Sequence, residues 1–259
     1  MSKLMDRHNM AGETTVSFRV IVIEGHRAVE IPVLAGDRKW RAVFGLRGPH
    51  PMEILAKHFG LQQNQIATVR QVHGDSIWVI DASQTPGPSG TEREADAMIT
   101  NRVGLAITVR TADCLPIMIW DEVKEVVAAV HAGWRGSLNA IASKTVLTMR
   151  SCFESDPKSL WVGIGPAIGP CCYEVDGQVL KPLRKRFEYW SEVVMEKGNG
   201  KGMLDLAGLN VRQLTASGVS PERIAVAGAC TACHPERFYS YRRDGDSSGR
   251  MINGIMIGA

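Results

Sequence analysis

The stretch TADCLPIMIWDEVKEVVAAVHAGWRG, residues 111–136, contains two apolar runs separated by a polar segment. The runs, Leu115–Trp120 and Val126–Val130, are aliphatic or β-branched and short enough to be strands rather than helices. The segment between them, Asp121-Glu122-Val123-Lys124, is polar enough to turn the chain. We therefore predict an antiparallel β-hairpin centred on this segment.

Such a hairpin pairs Cys114 with His131 at its open end. Facing side chains lie on one side of the sheet, about 5 Å apart at Cβ. A thiolate beside an imidazole suits a metal ion or a Cys-His catalytic pair. The alternative is a buried free cysteine beside a hydrogen-bonded histidine. The glycine-rich segment at 132–136, Ala-Gly-Trp-Arg-Gly, is costly in a sheet and indicates tight backbone around His131, which favours the functional interpretation.

A third nitrogen or sulfur ligand is available at His73, which ends a predicted strand beside Gly74. Three protein ligands leave one position open, as in catalytic zinc sites. We predict that His73, Cys114 and His131 are both the metal ligands and the catalytic residues. Asp96 is a candidate partner for a ligating histidine, although a carboxylate that only serves a turn is the alternative.

Composition restricts the classes of partner. The chain has 259 residues, 44% of them hydrophobic, and a net charge of +3 from 30 basic and 27 acidic residues. This balance gives no electrostatic reason to expect nucleic acid or a membrane surface. The sequence shows no signal peptide and no run near the ~20 apolar residues of a membrane span. With six cysteines expected to be reduced, we predict a cytoplasmic protein, monomeric or weakly homo-oligomeric.

Strand-like and helix-like segments interleave without a strict βαβ alternation. We therefore predict an α+β fold, with mixed β-sheets covered by helices in a single layered domain over residues 16–257, and disorder over residues 1–15. The tract 85–94 is predicted to be a surface loop near the site. The further predicted strands are Phe18–Ile23, Arg27–Val33, Lys39–Phe44, Ile66–Val72, Ser76–Ile80, Ala97–Thr100, Gly104–Val109, Leu160–Ile164 and Ile224–Ala227.

Four helices are predicted from apolar periodicity and end signals. They are Pro51–Phe59, Leu138–Arg150, Val179–Trp190 and Leu204–Ala216. In the second, Ser137 is the expected cap and Ile141, Thr145 and Leu147 the expected buried stripe. In the fourth, Asp205 and Asn210 are expected on the polar side. The glycine-rich C-terminus is assigned no element.

Six motifs, in this order, resemble the YfiH/laccase-domain family. They are QVHG at 71–74, ADAMIT at 95–100, TADCLPI at 111–117, VHAGWRG at 130–136, IGPAIGPCCYEV at 164–175 and CTACHPERFYSYRRDGDSSGRM at 230–251. The resemblance implies an α+β fold like that of a deamidating toxin domain. It also implies a zinc ion, with copper as a possible replacement, on the residues matching His73, Cys114 and His131.

The resemblance further implies action on purine nucleosides: deamination of adenosine, and phosphorolysis of adenosine, inosine or methylthioadenosine. Deamination needs an activated water, which an open metal site supplies. Phosphorolysis needs an anion pocket instead, and Arg47, Arg135 and Arg242 are the candidates for phosphate binding. For Arg243 we expect a solvated or a structural salt-bridging role. Phe238, Tyr239 and Tyr241 are candidates to stack a purine, or else belong to the core.

The other cysteines are given no metal role. Cys230-Thr231-Ala232-Cys233-His234 fits the haem attachment pattern, but haem attachment requires export. Cys171 and Cys172 would point to opposite faces of a strand.

Three other functions stay open. One is a hydrolase that edits peptidoglycan precursors through Cys114 or metal-activated water. Another is a copper-dependent polyphenol oxidase, disfavoured because multicopper sites need about ten histidines and the chain has seven. The last is a non-catalytic zinc protein that binds a regulatory ligand.

Overall fold

The computed structural model of the protein describes residues 18–31, 39–81 and 93–258. Fifteen strands are found in these ranges: β1 (Arg19–Ile23), β2 (His26–Glu30), β3 (Trp40–Leu46), β4 (Ile66–Ala67), β5 (Ile77–Ile80), β6 (Ala97–Thr100), β7 (Ala106–Thr111), β8 (Leu115–Asp121), β9 (Val126–Ala132), β10 (Trp161–Ile164), β11 (Glu174–Val175), β12 (Val194–Gly198), β13 (Lys201–Leu204), β14 (Ile224–Val226) and β15 (Met251–Ile257). The α-helices of the same ranges are α1 (Pro51–Phe59), α2 (Trp134–Leu138), α3 (Ile141–Phe153), α4 (Gly177–Arg186), α5 (Trp190–Val193), α6 (Leu206–Ala216) and α7 (Tyr241–Asp244).

The strands form two six-stranded sheets and one of three strands. The first sheet has the order β1-β2-β3-β15-β7-β4, the second β14-β10-β8-β9-β6-β5, and the third β11-β13-β12. Both large sheets are mixed, because β4 runs parallel to β7, β5 to β6, and β14 to β10. This confirms the prediction of mixed sheets combined with helices.

Alternating side chains place the two large sheets between layers of helices. On β8, Met118 and Trp120 enter a core shared with the first sheet, whereas Ile117 and Ile119 pack toward the helices α3, α4 and α6. The outer face of the first sheet is covered by α1, through residues such as Leu55. Because β8 is buried on both faces, its sequence reads as a continuous apolar run.

The strand β15, which the sequence reading left unassigned, lies in the middle of the first sheet between β3 and β7. Its sequence MINGIMI is buried along its whole length. The interior polar residue is Asn253, whose side chain accepts a hydrogen bond from Gly45 N (2.8 Å) and donates to Val109 O (3.2 Å) and Thr111 Oγ1 (3.0 Å). A buried asparagine satisfied by both neighbouring strands explains why the segment did not read as a strand.

Helical structure occurs at all four predicted places, but the predicted helix over 179–190 ends at Arg186, and α5 begins only at Trp190. Helix α1 has the predicted bounds. The predicted helix over 138–150 is broken, since Ala140 adopts a left-handed conformation (φ 58°) between α2 and α3. Ser137 is therefore a residue of α2 and not a cap, and Leu147 is half-exposed. Asn210 is buried instead of lying on the polar side of its helix, and it donates to Ser137 Oγ.

Within the described ranges no helix is both long and apolar enough to cross a membrane. The predicted disorder at 1–15 and most of the predicted loop at 85–94 lie outside those ranges. The organisation as a single domain over 16–257 remains a prediction.

Candidate functional site

The hairpin β8–β9 carries Cys114 and His131, as predicted, but its register differs by one step per strand. His131 pairs with Pro116, and Ala132 pairs with Leu115. Continued by one residue, this register places Cys114 opposite Gly133. The loop is therefore Glu122–Glu125, one residue later than the predicted Asp121–Lys124. The shift of two positions keeps Cys114 and His131 on the same face of the sheet, so they are diagonal neighbours.

His73 reaches the same point from the turn that precedes β5. Its backbone is left-handed (φ 59°), a conformation that a non-glycine residue holds only when its surroundings fix it. The carboxylate of Asp96 provides this, accepting the backbone N–H groups of Val72 (3.2 Å), His73 (3.0 Å) and Gly74 (2.7 Å). Asp96 is fully buried and stands just before β6.

Asp96 also orients His131. Its Oδ1 lies 2.7 Å from His131 Nδ1, and the His131 backbone N–H donates to Asp96 O at 2.7 Å. With Nδ1 engaged, the ring nitrogen left for a ligand is Nε2. Burial would raise the pKa of Asp96, but its hydrogen bonds to His131 and to the Gly74 and Val72 backbone lower that pKa. The predicted partner role of Asp96 thus fits the geometry, and one carboxylate positions both histidines.

The ligand atoms of His73, Cys114 and His131 all lie within 4.8 Å of one another. The two imidazole rings meet edge to face, with centroids 4.9 Å apart. Gly133 leaves the room for this, since a Cβ there would lie 3.1 Å from Cys114 Sγ and 3.2 Å from His73 Cδ2. One thiolate and two imidazoles in this arrangement fit a soft transition-metal ion.

The site favours a charged thiolate and imidazolium in the absence of metal. Burial would raise the pKa of Cys114, but the charge of His131 and hydrogen bonds from His131 and His73 outweigh burial and lower the pKa to about 6. Burial correspondingly opposes protonation of His131, yet Cys114 and Asp96 together raise its pKa to about 9. The pair therefore resembles an activated Cys-His couple with a carboxylate behind the histidine.

These residues form part of the wall of a cleft of about 770 Å³. The volume lies within the range of small-molecule sites. The cleft is lined by Gln71, His73, Arg110, Ala112, Asp113, Cys114, His131, Trp134, Arg135, Ile168, Tyr173, Leu206, Tyr241, Arg242, Asp246 and Arg250.

Of the predicted phosphate-binding arginines, two line the cleft and one does not. Arg135 lies over the Trp134 ring, 4.3 Å from its centroid. Arg242 Nη1 donates to two backbone carbonyls of the cleft wall, Cys172 O and Glu174 O. Arg47 is absent from the lining and donates instead to Pro235 O (2.8 Å). The geometry therefore gives no support to phosphate binding by Arg47.

The sequence reading missed Arg110 and Arg250, which line the same cleft. Arg250 lies within the motif at 230–251, but nothing in the sequence places it or Arg110 near the metal triplet. Arg110 is on β7 and Arg250 just precedes β15, so both belong to the first sheet, whereas Cys114 and His131 belong to the hairpin of the second. Arg243 is structural, as expected. It pairs with Asp244 and donates to backbone carbonyls, including Thr231 O and Phe238 O.

Both alternatives given for the three aromatic candidates occur. Tyr241 lines the cleft and is half-exposed, but Phe238 belongs to the core and Tyr239 packs against Arg47. Trp134 and Tyr173, which the sequence reading did not select, line the cleft as well.

Asp113 anchors one wall of the cleft. Its carboxylate accepts from Thr231 Oγ1 (2.5 Å) and from the backbone N–H of Arg242 (2.6 Å). Asp113 itself has a left-handed backbone (φ 87°). A role as general base is disfavoured by these contacts.

The four remaining site-region cysteines are clustered, contrary to expectation. Cys171 and Cys172 lie in a turn and not in a strand, so both reach the same place. Together with Cys230 and Cys233 they bring four sulfur atoms within 4.8 Å of one another.

The sequence is similar to a known family and to several of its characterised relatives. Residues 50–258 match the family described as multi-copper polyphenol oxidoreductase laccase. A purine nucleoside phosphorylase of Bacteroides thetaiotaomicron is 36% identical over 163 residues, covering 62% of this chain but only 60% of the relative. Purine nucleoside phosphorylase YlmD of Geobacillus stearothermophilus is 36% identical over 203 residues (76% and 74%). Adenosine deaminase RL5, from an unknown prokaryotic organism, is 33% identical over 207 residues (78% of each).

The fold is similar to that of a solved relative. The crystal structure of YlmD from Geobacillus stearothermophilus superposes with a TM-score of 0.77 and 29% identity, covering 94% of this chain and 92% of that one. The resemblance and the fold predicted from the sequence are thereby confirmed. The chain belongs to the YfiH/laccase-domain family, described as multi-copper polyphenol oxidoreductase laccase.

Proposed function

We propose that the protein is a metal-dependent enzyme acting on purine nucleosides. Its reactions would be the deamination of adenosine and the phosphorolysis of adenosine, inosine and methylthioadenosine. One observation carries the proposal: His73, Cys114 and His131 converge on one point in a cleft lined by arginines and aromatic rings. The names of the relatives, purine nucleoside phosphorylase and adenosine deaminase, support the substrate class.

His73, Cys114 and His131 would hold the metal, which we propose to be zinc, with copper as the alternative. The bound ion would act as a Lewis acid that makes water a stronger nucleophile near neutral pH. Asp96 keeps the His131 proton on Nδ1 and leaves Nε2 directed at the site. By holding the His73 turn as well, Asp96 fixes two of the three donors before any ligand arrives.

The cleft supplies what the two halves of a nucleoside require. The rings of Trp134, Tyr173 and Tyr241 offer faces on which a purine stacks. Arg135 is a cleft residue with an exposed guanidinium, and we propose that it binds phosphate. Arg242 donates to the carbonyls of Cys172 and Glu174. We therefore propose that it positions this wall of the cleft in addition to contacting phosphate.

The first test removes the donors one at a time. In His73→Ala, Cys114→Ala and His131→Ala, ammonia release from adenosine should fall by about two orders of magnitude or more while circular dichroism stays native. Cys152→Ala, at an exposed thiol of α3, is the matched control and should keep wild-type activity. Activity above a tenth of wild type in all three donor variants would overturn the metal assignment.

The second test separates the two nucleophiles. Phosphate is an anion and water is not, so Arg135→Ala should raise the phosphate KM for inosine phosphorolysis about tenfold and leave adenosine deamination within about twofold. The same change at Arg150, on the exposed face of α3, should alter neither reaction. Equal losses of both reactions in Arg135→Ala would mean that the residue holds the nucleoside or the fold.

A second candidate, hydrolysis of peptidoglycan precursors, is favoured by the chain of contacts Cys114, His131 and Asp96. A thiolate beside an imidazolium that a carboxylate orients is the arrangement of a cysteine nucleophile. This chemistry needs no metal. Hydrolysis of a peptidoglycan precursor by chelator-treated protein, lost in Cys114→Ser, would support it, and inactivity of that protein would exclude it.

Oxidation of polyphenols, which the family description suggests, is not proposed. Among the described residues, only one cluster of candidate metal ligands contains histidine, and its two histidines are His73 and His131. These ligands are far fewer than a multicopper centre needs.

A non-catalytic, ligand-binding role is the remaining alternative. It would be favoured if the protein binds metal but shows no activity on any purine.

A further inference from the structure

Two loops outside the histidine site bring four cysteines together. Cys171 and Cys172 lie in a turn before β11, and Cys230 and Cys233 lie in a second turn after β14. All four sulfur atoms are within 4.8 Å of one another. One of the four is buried and the others are partly or fully exposed, so the cluster is near the surface and open to an incoming ion.

The sulfur spacing matches metal coordination better than a disulfide. Sγ of Cys233 lies 3.5 Å from that of Cys171 and 3.4 Å from that of Cys172. Four sulfurs at ~2.3 Å around a tetrahedral zinc ion are about 3.8 Å apart, whereas a disulfide needs about 2.05 Å. Because these two distances are almost equal, Cys233 is not paired preferentially with either Cys171 or Cys172.

The backbone favours a thiolate at Cys230. The N–H of Gly169 donates to Cys230 Sγ at 3.2 Å, a contact that stabilises negative charge on sulfur. Gly169 also permits the approach of the two loops, because a Cβ there would lie 3.2 Å from Cys230 Cβ and 3.4 Å from Cys171 Sγ. The pattern Cys230-x-x-Cys233 is the two-residue spacing of a structural zinc turn.

We propose that Cys171, Cys172, Cys230 and Cys233 bind one zinc ion in a structural site, separate from the site of His73, Cys114 and His131. Four thiolates fill a tetrahedral zinc ion and leave no open position, so the ion has no catalytic role. This site stands independently of the reaction proposed above, since the two donor groups share no residue.

The ion would join two loops that build the wall of the cleft. The first loop continues into Tyr173, a cleft residue, and its carbonyl at Cys172 accepts from Arg242 Nη1. The second loop accepts from Arg243 through Thr231 O and supplies the Thr231 hydroxyl to Asp113. Zinc binding would therefore hold Tyr173 and Arg242 at a fixed distance from each other.

The test uses a chain that lacks the first site. The zinc content of the full-length Cys114→Ser protein, purified without chelator, is measured by elemental mass spectrometry. About one zinc ion per chain is expected. Adding Cys230→Ser and Cys233→Ser should lower that content at least about fivefold, whereas adding Cys152→Ser at the exposed thiol should leave it unchanged.

Cobalt and alkylation keep the test valid if the triple variant does not fold. Co²⁺ added to metal-free Cys114→Ser protein should give intense thiolate-to-cobalt charge-transfer absorption. In the zinc-loaded Cys114→Ser protein, iodoacetamide should label Cys152 at once and the four clustered cysteines only after a chelator is added. Three outcomes would overturn the proposal. The freshly purified protein could contain no metal and have all four cysteines open to alkylation, it could contain a disulfide between two of the four, or it could contain iron in place of zinc.

Discussion

Cys114 owes its chemistry to two histidines and not to its own exposure. Burial opposes the charge on its sulfur, and the imidazoles of His131 and His73 reverse that preference. A thiolate available near neutral pH is both a ready metal ligand and a ready nucleophile, because neither role has to wait for a proton to leave. The choice between the two proposed chemistries therefore depends on whether metal occupies the thiolate.

The pH dependence of Cys114 alkylation follows from this environment. Its pKa is lowered to about 6, so the thiolate fraction grows as pH rises through about 6 and is nearly complete by neutral pH. In chelator-treated protein, the rate of iodoacetamide labelling at Cys114 should rise about tenfold per pH unit below that midpoint and then level off. Mass spectrometry of the labelled peptide measures the rate.

Two comparisons check that result. Asp96→Asn removes a carboxylate that raises the pKa of His131, so the midpoint for Cys114 should move to higher pH. Zinc should suppress labelling over the whole range. A midpoint near that of an ordinary thiol, about 8.5, would contradict the assigned thiolate.

Gly133→Ala should damage the site without unfolding the chain. The added methyl would lie 3.1 Å from Cys114 Sγ and 3.2 Å from His73 Cδ2, and it forces two of the three donors apart. Zinc affinity at this site should fall by about tenfold or more. Gly177→Ala is the matched control, because its Cβ would meet only the flexible Lys181 side chain at 3.5 Å. Unchanged affinity in Gly133→Ala would mean that the donors do not converge as described.

At the scale of elements, Asn253 makes β15 a specific central strand. Its amide bonds to β3 on one side and β7 on the other, beside a register shift between Ile252 and Gly254. A side chain that satisfies both neighbours fixes which strands pair and in which register.

Asn253→Ala should therefore cost about 2–4 kcal/mol of the free energy of unfolding, since it leaves buried groups at Gly45, Val109 and Thr111 without their partner. Urea unfolding followed by tryptophan fluorescence measures the loss. Asn101→Ala, at an exposed position, should stay within about 0.5 kcal/mol of wild type. Equal stabilities of the two variants would contradict the role of Asn253.

Sequence reading succeeded where one segment carries its own signal. Helix α1, bounded by Pro51 and Gly60, and the strands of the central hairpin have such signals. The predicted register of the hairpin was wrong because two features of the turn are not visible in the sequence. Asp121 Oδ1 accepts hydrogen bonds from Val123 N and Lys124 N, and Glu125 adopts a left-handed conformation that its residue type does not predict. The break at Ala140 has no local signal either.

At the scale of the whole molecule, the site is assembled along one edge of the second sheet. His73, Asp96 and Cys114 precede β5, β6 and β8, and His131 lies near the end of β9, while these four strands are neighbours in the order β8-β9-β6-β5. The sequence predicted the metal triplet from residue type and from the expected position of each member beside a strand end. The strand predicted before His73, Ile66–Val72, ends at Ala67, so His73 lies in the turn before β5 instead. The cleft lining needed the order of the strands, which pairing between distant segments determines.

Because the donors come from separate strands, metal binding should stabilise the entire fold. Saturating Zn²⁺ at ~1,000 times its Kd adds about 4 kcal/mol to the free energy of unfolding of metal-free protein, which scanning calorimetry detects as a higher Tm. Mg²⁺ prefers oxygen ligands and should give no shift. The zinc-induced shift should be smaller in Cys114→Ser. An identical shift in that variant would show that His73, Cys114 and His131 do not bind the ion.

The central place of β15 has a consequence for the order of events during synthesis. Asn253 pairs with Gly45 across 208 residues and with Val109 across 144, so β3 and β7 leave the ribosome long before the strand that separates them. Until β15 arrives, both present unpaired edges and the core between the sheets stays open. Such long-range closure is slow. The nascent chain is thus most exposed to pairing with other chains just before its synthesis reaches this strand.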